Sequence, residues 1–261
     1  MTEQDFGVCR LSVVPVLGEP GISVQTSQLL FGDAYEVIER SKDKQWIRVR
    51  INFDGTEGWI DLRHHHSIPQ EYFAQIINAD FKITTDVVAT ILYKKSPLSI
   101  LLGSIVPISS SELFKMDEQF AFNGNAKAIS QKREEEFIKS IALKYLNAPE
   151  ATGGKSPFGI SSQGLLQMVF KICGHTLPWD LKQQSSSGKK VEDTSSTKTG
   201  DIAFFKDKSG KFIHAGIVLE ENKIIHPFGQ VRIDLLNDEG ILNSDTKIYT
   251  HMLAQIRRIL P

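Results

Sequence analysis

Between Gly153 and Phe170 the chain reads GGKSPFGISSQGLLQMVF, glycine-punctuated up to Ile160 and apolar at helical spacing from Gly164 onward. Ser161, Ser162 and Gln163 therefore stand at a loop-to-helix joint. A helix N-terminus lends its dipole to any anion formed there, which makes the joint a natural place for a nucleophile. Two histidines further on read, on spacing alone, as ordinary strand residues. His214 lies in the alternating apolar stretch FIHAGIVLEE and His226 precedes Pro227 in KIIHPFG. Asp180 follows a Pro and a Trp, where it either caps a turn or presents a carboxylate.

The nucleophile position carries a hydroxyl, and its acidity limits it. Comparing a water-like pKa of about 15.7 with a thiol near 8.5 leaves about seven units, on the order of 10 kcal/mol against a free anion. A helix terminus contributes about 0.3 to 2 kcal/mol. Serine hydrolases avoid the free anion with a histidine base held by a carboxylate and an oxyanion hole. Neither thiol substitutes. Cys173 lies eleven residues along the same helix, about 16 Å away at 1.5 Å per residue, and reads as a small buried hydrophobe. Cys9 lies in the first third of the chain.

The elements around these residues fall into two textures. AYEVIER (Ala34 to Arg40), QWIRVRI (Gln45 to Ile51) and EGWIDL (Glu57 to Leu62) alternate apolar and polar residues, with FDGTEG as a hairpin turn between the last two. Asp80 to Phe122 repeats the β style in DVVATILY, LSILLGSIVPI and EQFAFNG, broken by Pro97, Gly103 and Pro107. From Lys132 the spacing of Phe137, Ile138, Ile141, Ala142 and Tyr145 predicts a helix, and a second begins at Gly164 and stops at Gly174. KQQSSSGKKVEDTSSTKTG then reads as an exposed loop too polar to pack, followed by five strand-like runs. Helices first and antiparallel-style strands afterwards predict an α+β domain.

The C-terminal half resembles the NlpC-type cell-wall peptidases, papain-like cysteine peptidases that cut muropeptides. The whole chain is similar to members with two N-terminal bacterial SH3-like domains. The resemblance rests on Gly153 to Ile160, Gly164, Gln167, Leu177, Pro178 and Asp180, on GDIAFF, HAGIVL and IIHPFGQVRID, and on WIRVR and EGWI in the first module. It implies a papain-like α+β domain at residues 131–261 after SH3-like β-barrel domains at 1–66 and 67–130. It also implies that Ser162 occupies the position of the nucleophilic Cys, with His214 as base and His226 orienting it. Ser161 and Gln163 replace the family's flanking Asp and Ser, and in Glu150, Ala151 and Thr152 the first and third stand where aromatics are usual. Asp180 matches a residue that helps hold the free amine of a muropeptide, beside Ser161 and Gln163 in the ligand site.

With a neutral histidine third in line, these substitutions lead to the expectation of a catalytically inactive homologue of γ-D-glutamyl-L-diamino acid endopeptidases. It would bind an L-Ala-γ-D-Glu-containing wall peptide or a protein partner. The alternatives are an active hydrolase using Ser162 with His214, and an interaction scaffold with a vestigial cleft.

Bulk properties narrow the partners. With 30 Lys+Arg against 31 Asp+Glu in 261 residues, nothing favours nucleic acid or an anionic membrane. The RHHHSIP stretch reads as a linker, because consecutive strand histidines point to opposite faces. GGKS looks like a phosphate loop, but Pro149 stands where that motif needs Gly. No metal or cofactor is expected. Two cysteines without paired spacing, and an N-terminus without a basic and apolar leader pattern, predict a cytoplasmic protein.

Overall fold

The structure is a computed structural model that describes residues 5–21, 23–107 and 120–261. Parts of two expected strand segments, at Ile108 and at Glu118 and Gln119, lie outside the described residues. The chain divides into two compact units, Met1–Gln131 with Thr152–Gly154, and Lys132–Ala151 with Lys155–Pro261.

In the first unit, β1 (Asp5–Val8), β2 (Val13–Leu17), β3 (Gln25–Leu30), β4 (Ala34–Arg40), β5 (Trp46–Ile51), β6 (Glu57–Asp61) and β7 (Ser67–Ile68) form one antiparallel sheet. Their alternating inward residues, among them Val14, Val16, Leu29, Tyr35, Ile47, Val49 and Ile60, make one core. Sequence patterning places β4, β5 and β6 to within a residue. It misses α1 (Gln70–Asn78), which starts after Pro69 and buries Phe73 against Phe6, with ring centroids 4.3 Å apart. Beyond α1, two three-stranded sheets combine β8 (Lys82–Thr84), β9 (Val88–Tyr93), β10 (Ser96–Leu101), β11 (Ile105–Val106), β12 (Phe120–Asn123) and β13 (Ala126–Ala128).

The second unit opens with α2 (Glu135–Leu143), which buries Ile138, Ile141 and Ala142. A short hairpin, β14 (Lys155–Ser156) with β15 (Gly159–Ile160), feeds α3 (Ser162–Ile172), whose residues are almost all buried. After α4 (Leu181–Gln184) come β16 (Lys189–Val191), β17 (Ile202–Lys206), β18 (Phe212–Leu219), β19 (Lys223–Phe228), β20 (Gln230–Asn237), β21 (Gly240–Leu242) and β22 (Tyr249–Arg258). They form a sheet in the order β16-β22-β17-β18-β19-β20-β21, with β22 also pairing β21. This is the α+β arrangement expected.

The polar segment after α3 is more ordered than its composition predicts. It contains α4 and the edge strand β16, paired to β22. Hydrogen bonds hold it where apolar burial would not. Gln184 Nε2 donates to the carbonyls of Gln163 and Pro178, and the Ser185 carbonyl accepts from Gln255 and Arg257.

Candidate active site

Ser161 is the N-cap of α3, its extended backbone (φ −96°) turning the chain into the helix while its Oγ accepts from the Gly164 amide at 3.2 Å. The next residue, Ser162, therefore begins the first turn, where backbone N–H groups have no partner within the helix. Its Oγ lies 2.8 Å from His214 Nδ1 on β18.

From His214 the hydrogen bonds run on across the sheet. His214 Nε2 is 2.8 Å from His226 Nδ1 on β19, and His226 Nε2 is 3.1 Å from Asp234 Oδ2 on β20. Ser162, His214, His226 and Asp234 are all buried, the last two completely. When both rings are neutral, the carboxylate fixes the direction of every proton. Ionised Asp234 can only accept, so His226 carries its proton on Nε2 and offers Nδ1 as acceptor. His214 then donates from Nε2, and its Nδ1 is left to accept the Ser162 hydroxyl proton.

Sheet register explains the alignment. In the β19–β20 ladder His226 faces Arg232 and Ile224 faces Asp234, which makes Asp234 a diagonal neighbour of His226 on one sheet face. Gly216, two residues beyond His214 on the same face, makes room for the second ring: a Cβ there would stand 2.9 Å from His226 Cβ and 2.8 Å from Ile224 Cδ1.

Burial pushes the Asp234 carboxyl pKa upward, but the hydrogen bonds from His226, Arg232 and the Ser244 amide outweigh it and hold the group well below the usual carboxylate range. Arg232 grips both oxygens, at 2.8 and 3.0 Å, and the Ser244 amide donates at 2.7 Å. For His214, burial and the nearby His251 and His226 drive the pKa well below the ordinary imidazole value. It is neutral at neutral pH. His251 on β22 stacks on His214, with ring centroids 4.0 Å apart and planes at 19°.

Nitrogens of His214, His226 and His251 lie within 4.8 Å of one another, which raises the question of a metal. The geometry does not fit one. Both ring nitrogens of His214 and His226 are engaged in the relay, and stacked rings direct their in-plane lone pairs along parallel planes rather than at a common ion.

The sequence singled out Ser162, His214 and His226, and the structure brings them together. Ser161 serves as the helix cap. Gln163 follows Ser162 in the first turn, its carbonyl bonded by Gln184. Asp180 is exposed and caps α4, accepting from the Gln183 amide at 3.0 Å. Glu150 braces the β19–β20 turn, its carboxylate accepting from the Gly229 amide at 2.8 Å. Sequence reasoning gave no role to Asp234 or His251. Asp234 closes the IIHPFGQVRID run, at the spacing that sets it diagonally across a hairpin from His226, but its contact needs the register of that hairpin.

Comparison with known proteins places this geometry. The NlpC/P60 family profile matches residues 149–250, and the profile of the bacterial dipeptidyl-peptidase Sh3 domain matches residues 19–64. A γ-D-glutamyl-L-lysine dipeptidyl-peptidase of Bacillus subtilis (strain 168) is 26% identical over 257 residues, covering 90% of this chain and 81% of that protein. Its Bacillus cereus (strain ATCC 10987) counterpart is 25% identical over 264 residues, covering 90% and 75%. The crystal structure of an NlpC/P60 family protein from Bacillus cereus ATCC 10987 has the same fold, with TM-score 0.77 and 20% identity over 99% of this chain and 100% of that one.

These relatives correct the expected cytoplasmic location, because they are peptidases of the cell wall rather than of the cytoplasm. The thiol argument fails on physical grounds as well. Cys9 and Cys173 are both buried, so their unpaired state reflects packing and carries no record of a compartment. No helix among the described residues is long and apolar enough to cross a membrane. Residues 149–250 are thus similar to the NlpC/P60 family, on a chain that also carries a bacterial SH3-like region at residues 19–64.

Proposed function

We propose that this chain hydrolyses γ-D-glutamyl-linked cell-wall peptides with Ser162 as nucleophile and His214 as general base. The observation that carries the reading is the unbroken chain of hydrogen-bond contacts from Ser162 Oγ through His214 and His226 to Asp234. The expectation of an inactive homologue rested on the weak acidity of a hydroxyl and the loss of the neighbouring family residues, with a neutral imidazole third in line to support the base. Asp234 supplies that carboxylate one ring further back.

The acidity gap of about 10 kcal/mol applies to a free alkoxide, which this arrangement never has to form. As Ser162 Oγ attacks the carbonyl carbon, its proton moves to His214 Nδ1. The positive charge on His214 is stabilised through the His226 ring by Asp234. The first turn of α3, which Ser162 opens, places the helix dipole and amides that lack a partner within the helix near the developing oxyanion. Collapse breaks the C–N bond, and the amine departs with the proton from His214. Water then attacks the acyl-serine, giving its proton to His214, which returns it to Oγ. A depressed His214 pKa suits this chemistry. A thiolate–imidazolium pair needs a base that is charged at rest, whereas a hydroxyl needs one that is neutral.

In the same reading, residues 1–66 and 67–130 are SH3-like domains ahead of the peptidase domain 131–261. Asp180 meets the free amine of the peptide, while Ser161 and Gln163 shape the start of α3. The test is release of product from a γ-D-glutamyl-L-lysine peptide, followed by chromatography. Turnover lost in Ser162→Ala and His214→Ala supports the proposal. Saturable binding without turnover returns the inactive binder, and neither binding nor turnover returns the scaffold.

A further inference from the structure

We infer that His251 is a positioning residue for His214, a flat neutral ring that holds the plane of the base and lies against the imidazolium formed during attack. The inference rests on the proposed reading in that His214 is the base. It stands on a different set of contacts from the relay.

The two rings lie nearly parallel, with centroids 4.0 Å apart. His251 is itself walled in: Phe228 presents an edge at 5.4 Å and 86°, Phe205 lies at 5.9 Å and 61°, and Thr250 Oγ1 is 3.0 Å from His251 Nδ1. A ring packed this way resists rotation. The hydrogen bonds fix the two ends of the His214 ring, but they leave it able to tilt about the line that joins them. A ring stacked on its face removes that freedom.

The sheet is built to deliver this contact. In the β17–β22 ladder Ala203 faces Ile256 and Phe204 faces Gln255, but Phe205 faces Leu253, so Ala254 is an extra residue, a β-bulge. Side chains alternate faces along a strand, and the bulge resets that alternation. Ile256, Leu253 and His251 thereby share the face that carries Phe205 and its partner His214. Without the bulge Met252 would take that place, whereas it is 72% exposed.

Charge favours the same assignment. The titratable groups facing His251 are His214 on β18 and His226 on β19, with Asp234 behind His226; Phe205 on β17 and Ile241, its partner on β21, are apolar. Burial, reinforced by His226, lowers the His251 pKa to about 4. A neutral ring attracts an imidazolium through its π face. A protonated one would set two positive charges about one ring thickness apart.

The test uses the full chain with a γ-D-glutamyl-L-lysine peptide, and NMR titration of the His214 imidazole. His251→Ala should lower kcat by about 10 to 100-fold with KM held within about twofold, the pattern of lost orientation. It should also shift the His214 pKa and, with it, the acidic limb of the pH profile. His251→Phe restores a flat neutral ring and should recover kcat to within about threefold. His251→Leu, of similar bulk without a flat face, serves if the alanine variant does not fold and should behave like it. Wild-type kcat and His214 titration in the Ala and Leu variants would overturn the inference, as would a Phe variant as impaired as they are. Absence of turnover in the wild-type protein counts against the hydrolase, while the His214 titration still decides the role of His251.

Discussion

His226 Nε2 lies 3.1 Å from Asp234 Oδ2, with both side chains fully buried. That contact changes what a serine at the head of α3 can do, because it ties a chain of two imidazoles to a fixed negative charge. Asp234→Asn keeps the shape, retains an oxygen for Arg232 or Ser244, and removes the charge. We predict a fall in kcat on the order of 10²-fold with little change in KM. Steady-state kinetics beside a thermal melt checks it, and an unchanged kcat in the folded variant would show that the carboxylate is not used.

Ser162→Cys restores the nucleophile usual in the family to a site whose base is neutral at rest. Its thiol should be alkylated by iodoacetamide well before Cys9, whose pKa burial pushes up to about 12, and before buried Cys173. Turnover should nevertheless fall below that of the wild type, because His214 does not hold the proton that a resting ion pair requires. Peptide mapping and kinetics measure the two halves separately.

Gly216→Ala puts a methyl where His226 Cβ and Ile224 Cδ1 stand. Overpacking of this kind costs about 1 to 3 kcal/mol, and the atom displaced belongs to the relay. We predict both a lower urea midpoint and a kcat reduced by at least about tenfold. Full activity in this variant would mean that the position of His226 is unimportant.

Stability should depend on pH in a defined direction. His214 and His251 are depressed in the folded chain, whereas unfolded histidine titrates near 6.5. Below that value the unfolded chain binds more protons, so stability is full above about pH 6.5 and falls as pH drops toward about 4. Asp234, also depressed, adds a further loss below the ordinary carboxylate range. Tm should therefore decline steadily from pH 7 to pH 4, less steeply in His251→Phe. A flat profile would contradict the depressed values.

Much of this was legible in the sequence because it is local. Alternation gave β4, β5 and β6; helical spacing gave α2 and α3; the loop-to-helix joint singled out Ser162. His214 and His226 came with the family resemblance, which carries register information that spacing lacks. The remainder depends on long-range pairing. Asp234 acquires its role only when β20 folds back on β19, and His251 only because the bulge at Ala254 resets which residues of β22 face the site. The helix α1 escaped because Pro69 and the short run after it fit a linker as well as a helix start. The segment after α3 misled because it is held by hydrogen bonds to backbone carbonyls, which hydrophobicity does not register.

The most direct measurement is the intact mass of the protein, quenched in acid after brief incubation with a γ-D-glutamyl-L-lysine peptide ester and mapped by peptide fragmentation. The account predicts an acyl adduct on Ser162 that forms in the wild type, is absent from Ser162→Ala and accumulates in Asp234→Asn. A folded wild-type chain that releases no product and carries no adduct at residue 162 would contradict it.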